Sequence, residues 1–167
     1  MGAQGTRAID IARRSGIVYA VHEYAHDERA SLRAGGQGYA LEAVAALGLD
    51  PARVFKTIVV VVDGRLALAV VPADAEVDLK AVADALGARK AAIAPAADAE
   101  KATGYVLGGI SPLGTRRPLP VVVDASAEAL PTIHVSAGRR GLEIELASTD
   151  LVRLTSGRVA RIARGGS

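Results

Sequence analysis

The segment 103–114, TGYVLGGISPLG, combines residue types that could bind an anion. Its four glycines, at positions 104, 108, 109 and 114, allow close backbone approach, and Pro112 biases Ser111 toward an extended backbone. Such a loop can direct several backbone N–H groups at one point, where they bind an anion or a developing oxyanion. The same composition is typical of a tight turn between packed elements. Because the segment lacks both GxGxxG and a Gly-Lys-Ser/Thr ending, it is neither a dinucleotide fingerprint nor a P-loop.

Lys56 is a second candidate, because it opens the apolar segment 56–62, KTIVVVV. An ammonium group at the end of such a strand could hold a phosphate or polarise a carbonyl. A lysine that lays its stem on apolar surface and extends its charge into water would give the same pattern. The sequence position alone leaves both interpretations open.

The histidines show no spacing typical of a metal site. His22, His26 and His134 belong to no ligand pattern, and the chain has no cysteine, so we expect no metal, no cofactor and no disulfide. No GxSxG motif marks a nucleophilic serine. Ser111 is more simply interpreted as a loop hydroxyl that hydrogen-bonds substrate.

Two glutamates alternate with apolar residues near the end of the chain. In the segment 142–146, LEIEL, the three apolar residues would face the core, while Glu143 and Glu145 would face away from it. The simplest interpretation is a solvated strand face. The alternative is that one glutamate lines a cleft that has the sheet as its floor.

The composition favours one globular domain. The chain has 167 residues, half of them apolar, which suits a single core, and we expect a flexible tail at 1–6 and a domain at 7–164. With neither an apolar run of about 20 residues nor a signal-peptide core, we expect a cytoplasmic protein without a membrane partner. The net charge of +2 permits a phosphate-rich partner without demanding one. Four tyrosines and one phenylalanine argue against a broad base-stacking platform.

Hydrophobic periodicity and capping residues predict short helices between strands. The clearest prediction is a hairpin of strands 56–62 and 65–71, joined by Asp63-Gly64 in a type I′ turn. Helices are predicted at 7–15, 39–47, 79–86, 95–104 and 149–154, with one helical turn after Asp50-Pro51. Further strands are predicted at 17–24, 90–94, 119–124, 132–136, 142–146 and 158–163, and a mobile loop at 25–38. The predicted fold class is α/β (α+β), a single domain with a mixed, largely antiparallel sheet surrounded by short helices.

Four segments, taken in order, resemble a known family. They are VFKTIVVVV (54–62), VDLKAVADALGARK (77–90), ATGYVLGGISPLG (102–114) and TIHVSAGRRGLEIEL (132–146). Their order and spacing resemble the YbaK family of Cys-tRNA(Pro) deacylases, which is related to the editing insertion domain of bacterial prolyl-tRNA synthetase. The resemblance covers about residues 16–164 and implies the strongly curved sheet of that editing fold.

The resemblance also implies an active site. It assigns the catalytic role to Lys56, Gly108 and Pro112, and substrate binding to the following residues: Tyr24, Phe55, Thr57, Gly109, Ile110, Ser111, Ser136 and Glu143. One departure concerns Glu143, where relatives commonly carry aspartate. The carboxylate is kept here on a stem one methylene longer.

The implied reaction is hydrolysis of the ester in mischarged Cys-tRNA(Pro). A pocket that separates amino acids by a few contacts gains only about 1–3 kcal/mol, so translation needs a second, hydrolytic sieve. The resemblance implies that the substrate's own thiol attacks the ester and that prolyl-tRNA synthetase helps to select the tRNA. The alternatives are a deacylase for Ala-tRNA(Pro) or another small aminoacyl-tRNA, and a non-catalytic module that binds an aminoacyl-adenosine end or a protein.

Overall fold

A computed structural model describes residues 5–27 and 38–166 of the chain. Most of the loop predicted at 25–38, and residues 1–4 of the predicted tail, therefore lie outside the described residues. No helix in the described ranges is long and apolar enough to cross a membrane. The helices are short, and their bounds are α1 Arg7–Ser15, α2 Gly38–Leu47, α3 Leu79–Ala85, α4 Ala96–Thr103 and α5 Ser148–Thr155, with a 3-10 turn at Ala125–Ala129.

The strands carry most of the β-branched residues. Their bounds are β1 Tyr19–Glu23, β2 Phe55–Val62, β3 Arg65–Pro72, β4 Ala75–Val77, β5 Ala91–Ile93, β6 Val121–Asp124, β7 Ile133–Arg139, β8 Leu142–Leu146, β9 Arg158–Ala160 and β10 Ala163–Gly165. They form a five-stranded sheet in the order β5-β2-β3-β6-β9, a three-stranded sheet β1-β8-β7 and a two-stranded sheet β10-β4. The β3–β6 and β6–β9 pairs are parallel and the other pairs are antiparallel. The predicted mixed, largely antiparallel α/β fold is confirmed.

Local signals explain where several elements begin and end. Asp63 and Gly64 both have positive φ (47° and 82°), as a type I′ hairpin turn requires. Thr6 accepts a hydrogen bond from the N–H of Ile9 and so caps α1. Asp78 caps α3 in the same way through the N–H of Ala81.

Three local predictions differ from the structure. Asp50-Pro51 begins a hydrogen-bonded turn and not a helical one, and the predicted strand 158–163 is two short strands, β9 and β10. The strand β4 was not predicted, because three residues are too few for a periodic signal.

The core lies on both faces of β2 and β3. Phe55, Val59 and Leu68 belong to one buried cluster, whereas Val60 and Val71 belong to a second cluster on the opposite face. This burial confirms the prediction that β2 is a central strand covered on both sides. Helix α1 packs Ile9 and its neighbouring alanines against the first cluster.

The two larger sheets share the first core cluster and are also joined through the backbone. Val54, just before β2, forms an isolated parallel bridge with His134 of β7. The N–H of His134 donates to the carbonyl of Arg53 at 2.9 Å. This bridge holds the start of β2 beside the polar face of the three-stranded sheet.

Candidate functional site

A cavity of about 520 Å³ opens beside the first half of β2. It is bordered by β2, by the loop that follows α4, and by the polar face of β7 and β8. Of the residues assigned by resemblance, those that line it are Phe55, Lys56, Thr57, Gly108, Ile110, Ser136 and Glu143. Segments far apart in sequence thus converge on one space of the size that binds small ligands.

Among the described residues, no strand pairs with the edge of β2 at Thr57. On the C-terminal side of Thr57, β5 pairs with Val60–Val62, and the N–H of Ala94 donates to the carbonyl of Val59. On the N-terminal side, Val54 forms the bridge to His134. Backbone groups of an antiparallel strand point alternately to its two sides, so the N–H and C=O of Thr57 point away from β3, toward the cavity. The Thr57 hydroxyl is buried, and among the described residues it has no hydrogen-bond partner. Three polar groups of one residue are therefore offered to a ligand.

Lys56 points from the same strand toward β4. Its Nζ donates to the carbonyl of Ala73 at 3.2 Å. Burial lowers the pKa of Lys56, and the nearby carboxylates of Asp74 and Glu76 oppose that shift. Glu76 itself lines the cavity. The ammonium is half-buried at the cavity wall, where a phosphate or a carbonyl oxygen would meet less screening than in water.

The glycines of the loop are required by close packing. Gly108 has a φ of 85°, and a Cβ atom there would lie 2.5 Å from Cδ1 of Tyr39. A Cβ at Gly109 would lie 2.6 Å from the Cα of Arg139. The N–H of Gly109 is already bonded to the carbonyl of Val106 at 2.9 Å. Among the glycines of the loop, Gly108 is the one that lines the cavity.

The remaining loop residues assigned by resemblance lie beneath the cavity wall. Ser111 is fully buried, and its Oγ accepts a hydrogen bond from the N–H of Leu113 at 3.2 Å. The hydroxyl of Ser111 therefore stabilises the turn and is not presented to the cavity, contrary to the prediction of a hydroxyl that contacts substrate. Pro112 is also buried and does not line the cavity.

Glu143 is the buried acid of the site. It is 6% exposed, and burial raises its pKa from the ordinary 4.5 to about 8. The prediction of a solvated strand face is therefore wrong for this residue. Alternation along β8 correctly places Glu143 opposite the core residues, but that face lines the cavity and Glu143 is buried there. Burial thus favours the neutral, protonated form of the Glu143 carboxyl group at neutral pH.

Tyr24 follows β1 and lies behind Glu143. Its N–H donates to the carbonyl of Gly141 at 2.9 Å. Burial raises the pKa of the Tyr24 phenol, and the negative charges of Glu143 and Glu42 raise it further. Tyr24 does not line the cavity. It is connected to the site by its electrostatic interaction with Glu143.

Comparisons with known proteins agree with this arrangement. Residues 37–154 match the family described as Aminoacyl-tRNA editing domain. The chain belongs to this family. It is 35% identical over 161 residues to the protein of Enterococcus faecalis named "Putative Cys-tRNA(Pro)/Cys-tRNA(Cys) deacylase EbsC", a match covering 95% of this chain and 93% of the relative. The family resemblance predicted from the sequence is thus confirmed. The prediction of an aminoacyl-tRNA deacylase is confirmed at the level of the family.

Solved structures show the same fold. The crystal structure of a hypothetical protein matches with a TM-score of 0.81 at 21% identity, covering 95% of this chain and 99% of the other. A crystal structure titled as that of "a putative trans-editing enzyme for prolyl tRNA synthetase" matches with a TM-score of 0.74 at 22% identity, covering 98% and 94%. The same fold therefore covers nearly the whole chain.

A second polar cluster lies on the same sheet face, beside Glu143. The ligand atoms of His22, His134 and Glu145 lie within 4.8 Å of one another. Glu145 already accepts from the Thr132 hydroxyl at 2.5 Å and lies 2.9 Å from His22 Nε2, while Arg53 Nη2 is 3.5 Å away. The guanidinium charge opposes a second cation at this place. We therefore assign the cluster to a hydrogen-bond network that joins β1, β7 and β8.

One cavity residue gave no signal in the sequence. Tyr39 lies at the start of α2, with its ring against Gly108 and under the guanidinium of Arg140, whose Cζ is 4.8 Å from the ring centroid. Arg140 Nε also donates to the carbonyl of Leu107 at 2.7 Å. A tyrosine that begins a helix is identified as a wall residue only when the loop it packs against is known.

Proposed function

We propose that this editing domain hydrolyses mischarged Cys-tRNA(Pro), releasing free tRNA. The observation that carries the proposal is that Lys56, Gly108 and Glu143, from three distant segments, line one cavity. Cysteine is the amino acid in the name of the relative that is 35% identical over most of both chains. We extend the domain to residues 7–164 and place it in the cytoplasm, with its substrate.

The two walls of the cavity can bind different parts of the substrate. The ammonium of Lys56 would engage the terminal adenosine, through its phosphate or its sugar. The α-ammonium of the amino acid would pair with Glu143, which then gives up its proton because a positive charge offsets the cost of burying a carboxylate. The N–H of Thr57, which points away from β3, and its hydroxyl, which has no partner among the described residues, would fix the aminoacyl group between them.

The loop would stabilise the transition state. The N–H groups of residues 108–111 that are not used within the loop would receive the tetrahedral oxyanion, while Pro112 fixes the backbone that presents them. Each well-placed donor of this kind contributes roughly 100- to 1,000-fold in rate. The substrate thiol would attack the ester carbonyl, the bond to the ribose oxygen would break, and that oxygen would take the thiol proton. The cyclic thioester of cysteine formed in this way would then react with water to give free cysteine. Positioning and charge stabilisation are then sufficient.

Selection of the tRNA would need help from prolyl-tRNA synthetase. The net charge of +2 gives little surplus for binding the phosphate backbone. Selectivity should therefore be weak for the isolated domain and increase when the synthetase is present. Equal selectivity for tRNA(Pro) with and without synthetase would contradict this part of the proposal.

Deacylation assays test the proposal directly. We would compare Cys-tRNA(Pro) with Ala-tRNA(Pro), using the wild type, Lys56→Ala and, as a matched control, Lys80→Ala, which removes an exposed lysine of α3. We expect hydrolysis of Cys-tRNA(Pro), a loss of at least about 100-fold for Lys56→Ala and no change for the control. Absence of hydrolysis of both substrates by the wild type would refute the enzyme assignment. A preference for Ala-tRNA(Pro) would overturn the choice of cysteine.

A further inference from the structure

Tyr105 lies inside the glycine-rich loop but does not line the cavity. It is 7% exposed, and its phenol donates to the carbonyl of Leu113 at 2.7 Å, with the carbonyl of Gly114 at 3.2 Å. Its own N–H donates to the hydroxyl of Thr103 at 3.2 Å. The side chain thus ties the beginning of the loop to its end, across the residues that face the cavity.

Arg7 reaches the same place from the first turn of α1, 96 residues earlier in the chain. Its Nη2 donates to the carbonyl of Thr103 at 2.8 Å, and its guanidinium carbon lies 5.2 Å from the centre of the Tyr105 ring. Arg7 and the N–H of Ala8 also hydrogen-bond to the Tyr105 oxygen, which offsets part of the rise that burial causes in the pKa of that phenol. The contact is a cation–π pair supported by directed hydrogen bonds.

These contacts leave the segment between them with few bonds of its own. Within the described part of the chain, the segment 106–112 makes a turn bond from the N–H of Gly109 to the carbonyl of Val106, the Ser111–Leu113 bond and two bonds to Glu100 and Arg140. The ring of Tyr105 also packs against Gly138, where a Cβ atom would lie 3.0 Å from Cε1. The shape of the cavity-facing segment is therefore set from its two fixed ends.

We propose that Arg7 and Tyr105 are positioning residues, which hold the loop so that Gly108 and Ile110, the members of the segment 108–111 that line the cavity, can present their N–H groups to it. The proposal rests on the proposed function, because it is the oxyanion site that the loop would present. Arg7 lies outside residues 37–154, the part matched to the family. The first helix therefore contributes to the site through the contact between Arg7 and Tyr105, which we call the brace. A displacement of about 1 Å at a reacting group can cost roughly 100-fold in rate.

The test compares Tyr105→Phe, Arg7→Met and Arg7→Lys with the wild type. Arg13→Met is the matched control, since the exposed Arg13 lies on the same helix and, among the described residues, pairs with Asp10 of that helix. The readouts are kcat and KM for Cys-tRNA(Pro), and amide hydrogen exchange of the segment 104–114 in the full chain. Tyr105→Phe keeps the ring and its packing, so it remains informative if Arg7→Met folds poorly.

We expect kcat to fall at least about 10-fold for Tyr105→Phe and Arg7→Met, with KM within about 2-fold, because loop position affects the transition state more than binding. Exchange in 104–114 should rise at least about 10-fold while the core strands stay protected. Arg7→Lys, which keeps a cation and a donor, should recover most of kcat, and Arg13→Met should match the wild type.

The outcomes separate this proposal from the proposed function. If the wild type is inactive but amide hydrogen exchange in 104–114 still rises in Tyr105→Phe, the proposed function is refuted and the brace is supported. Unchanged exchange and unchanged kcat in both Tyr105→Phe and Arg7→Met would overturn the brace, whatever the substrate. Equal losses in Arg7→Lys and Arg7→Met would overturn the role given to the Arg7 charge.

Discussion

Glu143 and Ser136 lie directly opposite each other on β8 and β7, and both side chains line the cavity. The pair stands at the floor of the site, and Ser136 Oγ accepts from the N–H of Gly138 at 3.2 Å, which fixes the serine. The carboxyl group beside it is held neutral by burial. A polar floor of this kind is poised to pair with a cation that enters the cavity.

The stability of the protein should depend on pH through Glu143. Its pKa is about 8 when folded and near 4.5 when unfolded, so between these values the folded state holds a proton that the unfolded chain has released. Stability therefore falls as pH rises from about 4.5 to about 8. Glu143→Gln cannot ionise, so its stability relative to the wild type should rise across this window by as much as roughly 4 kcal/mol. Urea unfolding at about pH 5 and about pH 9 measures the difference, and a constant difference would contradict the buried acid.

Gly108→Ala should abolish most of the activity. The new methyl group would meet the ring of Tyr39 at a positive φ, so the loop must move. Gly87→Ala is the matched control, because Gly87 also has a positive φ (68°) but nothing lies within 4 Å of its Cβ position. We expect a loss of at least about 100-fold in kcat/KM for Gly108→Ala alone. Equal losses in the two variants would show that general backbone strain, and not the contact with Tyr39, is responsible.

Thr57→Val should separate stability from function. The substitution keeps the shape of the side chain and removes a buried hydroxyl that has no partner among the described residues. Since an unsatisfied buried group costs about 1–3 kcal/mol, the variant should be as stable as the wild type or more so. KM for Cys-tRNA(Pro) should nevertheless rise about 5-fold or more, because the hydrogen bond to substrate is lost. A less stable variant would show that the hydroxyl is satisfied within the protein.

Asp63→Ala should weaken the fold and leave the site intact. The Asp63 carboxylate accepts from the N–H groups of Arg89 and Lys90 at 2.9 and 3.0 Å, and the residue has a positive φ. We expect a loss of about 1–2 kcal/mol in the free energy of unfolding, with kcat/KM unchanged. Asp84→Ala, at an exposed position of α3, is the control and should have little effect on either quantity. A fall in kcat/KM for Asp63→Ala would mean that the hairpin turn is coupled to the site.

Much of the fold could be predicted from the sequence, because its signals are local. The Asp63-Gly64 turn, the apolar run of β2 and the cap at Asp78 each depend on a few adjacent residues. The alternation of β8 also predicted correctly which residues face the core. It could not predict that Glu143 on the opposite face is buried, because the other residues that line the cavity belong to distant segments of the chain.

The candidate site was harder to predict from the sequence, because its residues come from segments that are far apart in the chain. Composition alone could not choose between a turn and an anion site for the loop, and it was the order of several segments that suggested chemistry. Ser111 appeared in a suitable motif, yet its depth in the fold turns the hydroxyl toward Leu113. Arg7 carries no motif at all, since its partners are a carbonyl and a ring 96 and 98 residues away.

The bridge between Val54 and His134 ties one wall of the cavity to the other. Two residues beyond it on one side is Lys56, and two residues beyond it on the other is Ser136, the partner of Glu143. The two walls are thus joined near these residues by backbone hydrogen bonding, which substitutions of the cavity side chains leave in place. Amino-acid preference can then change through the side chains that line the cavity while the backbone connection between its walls is kept.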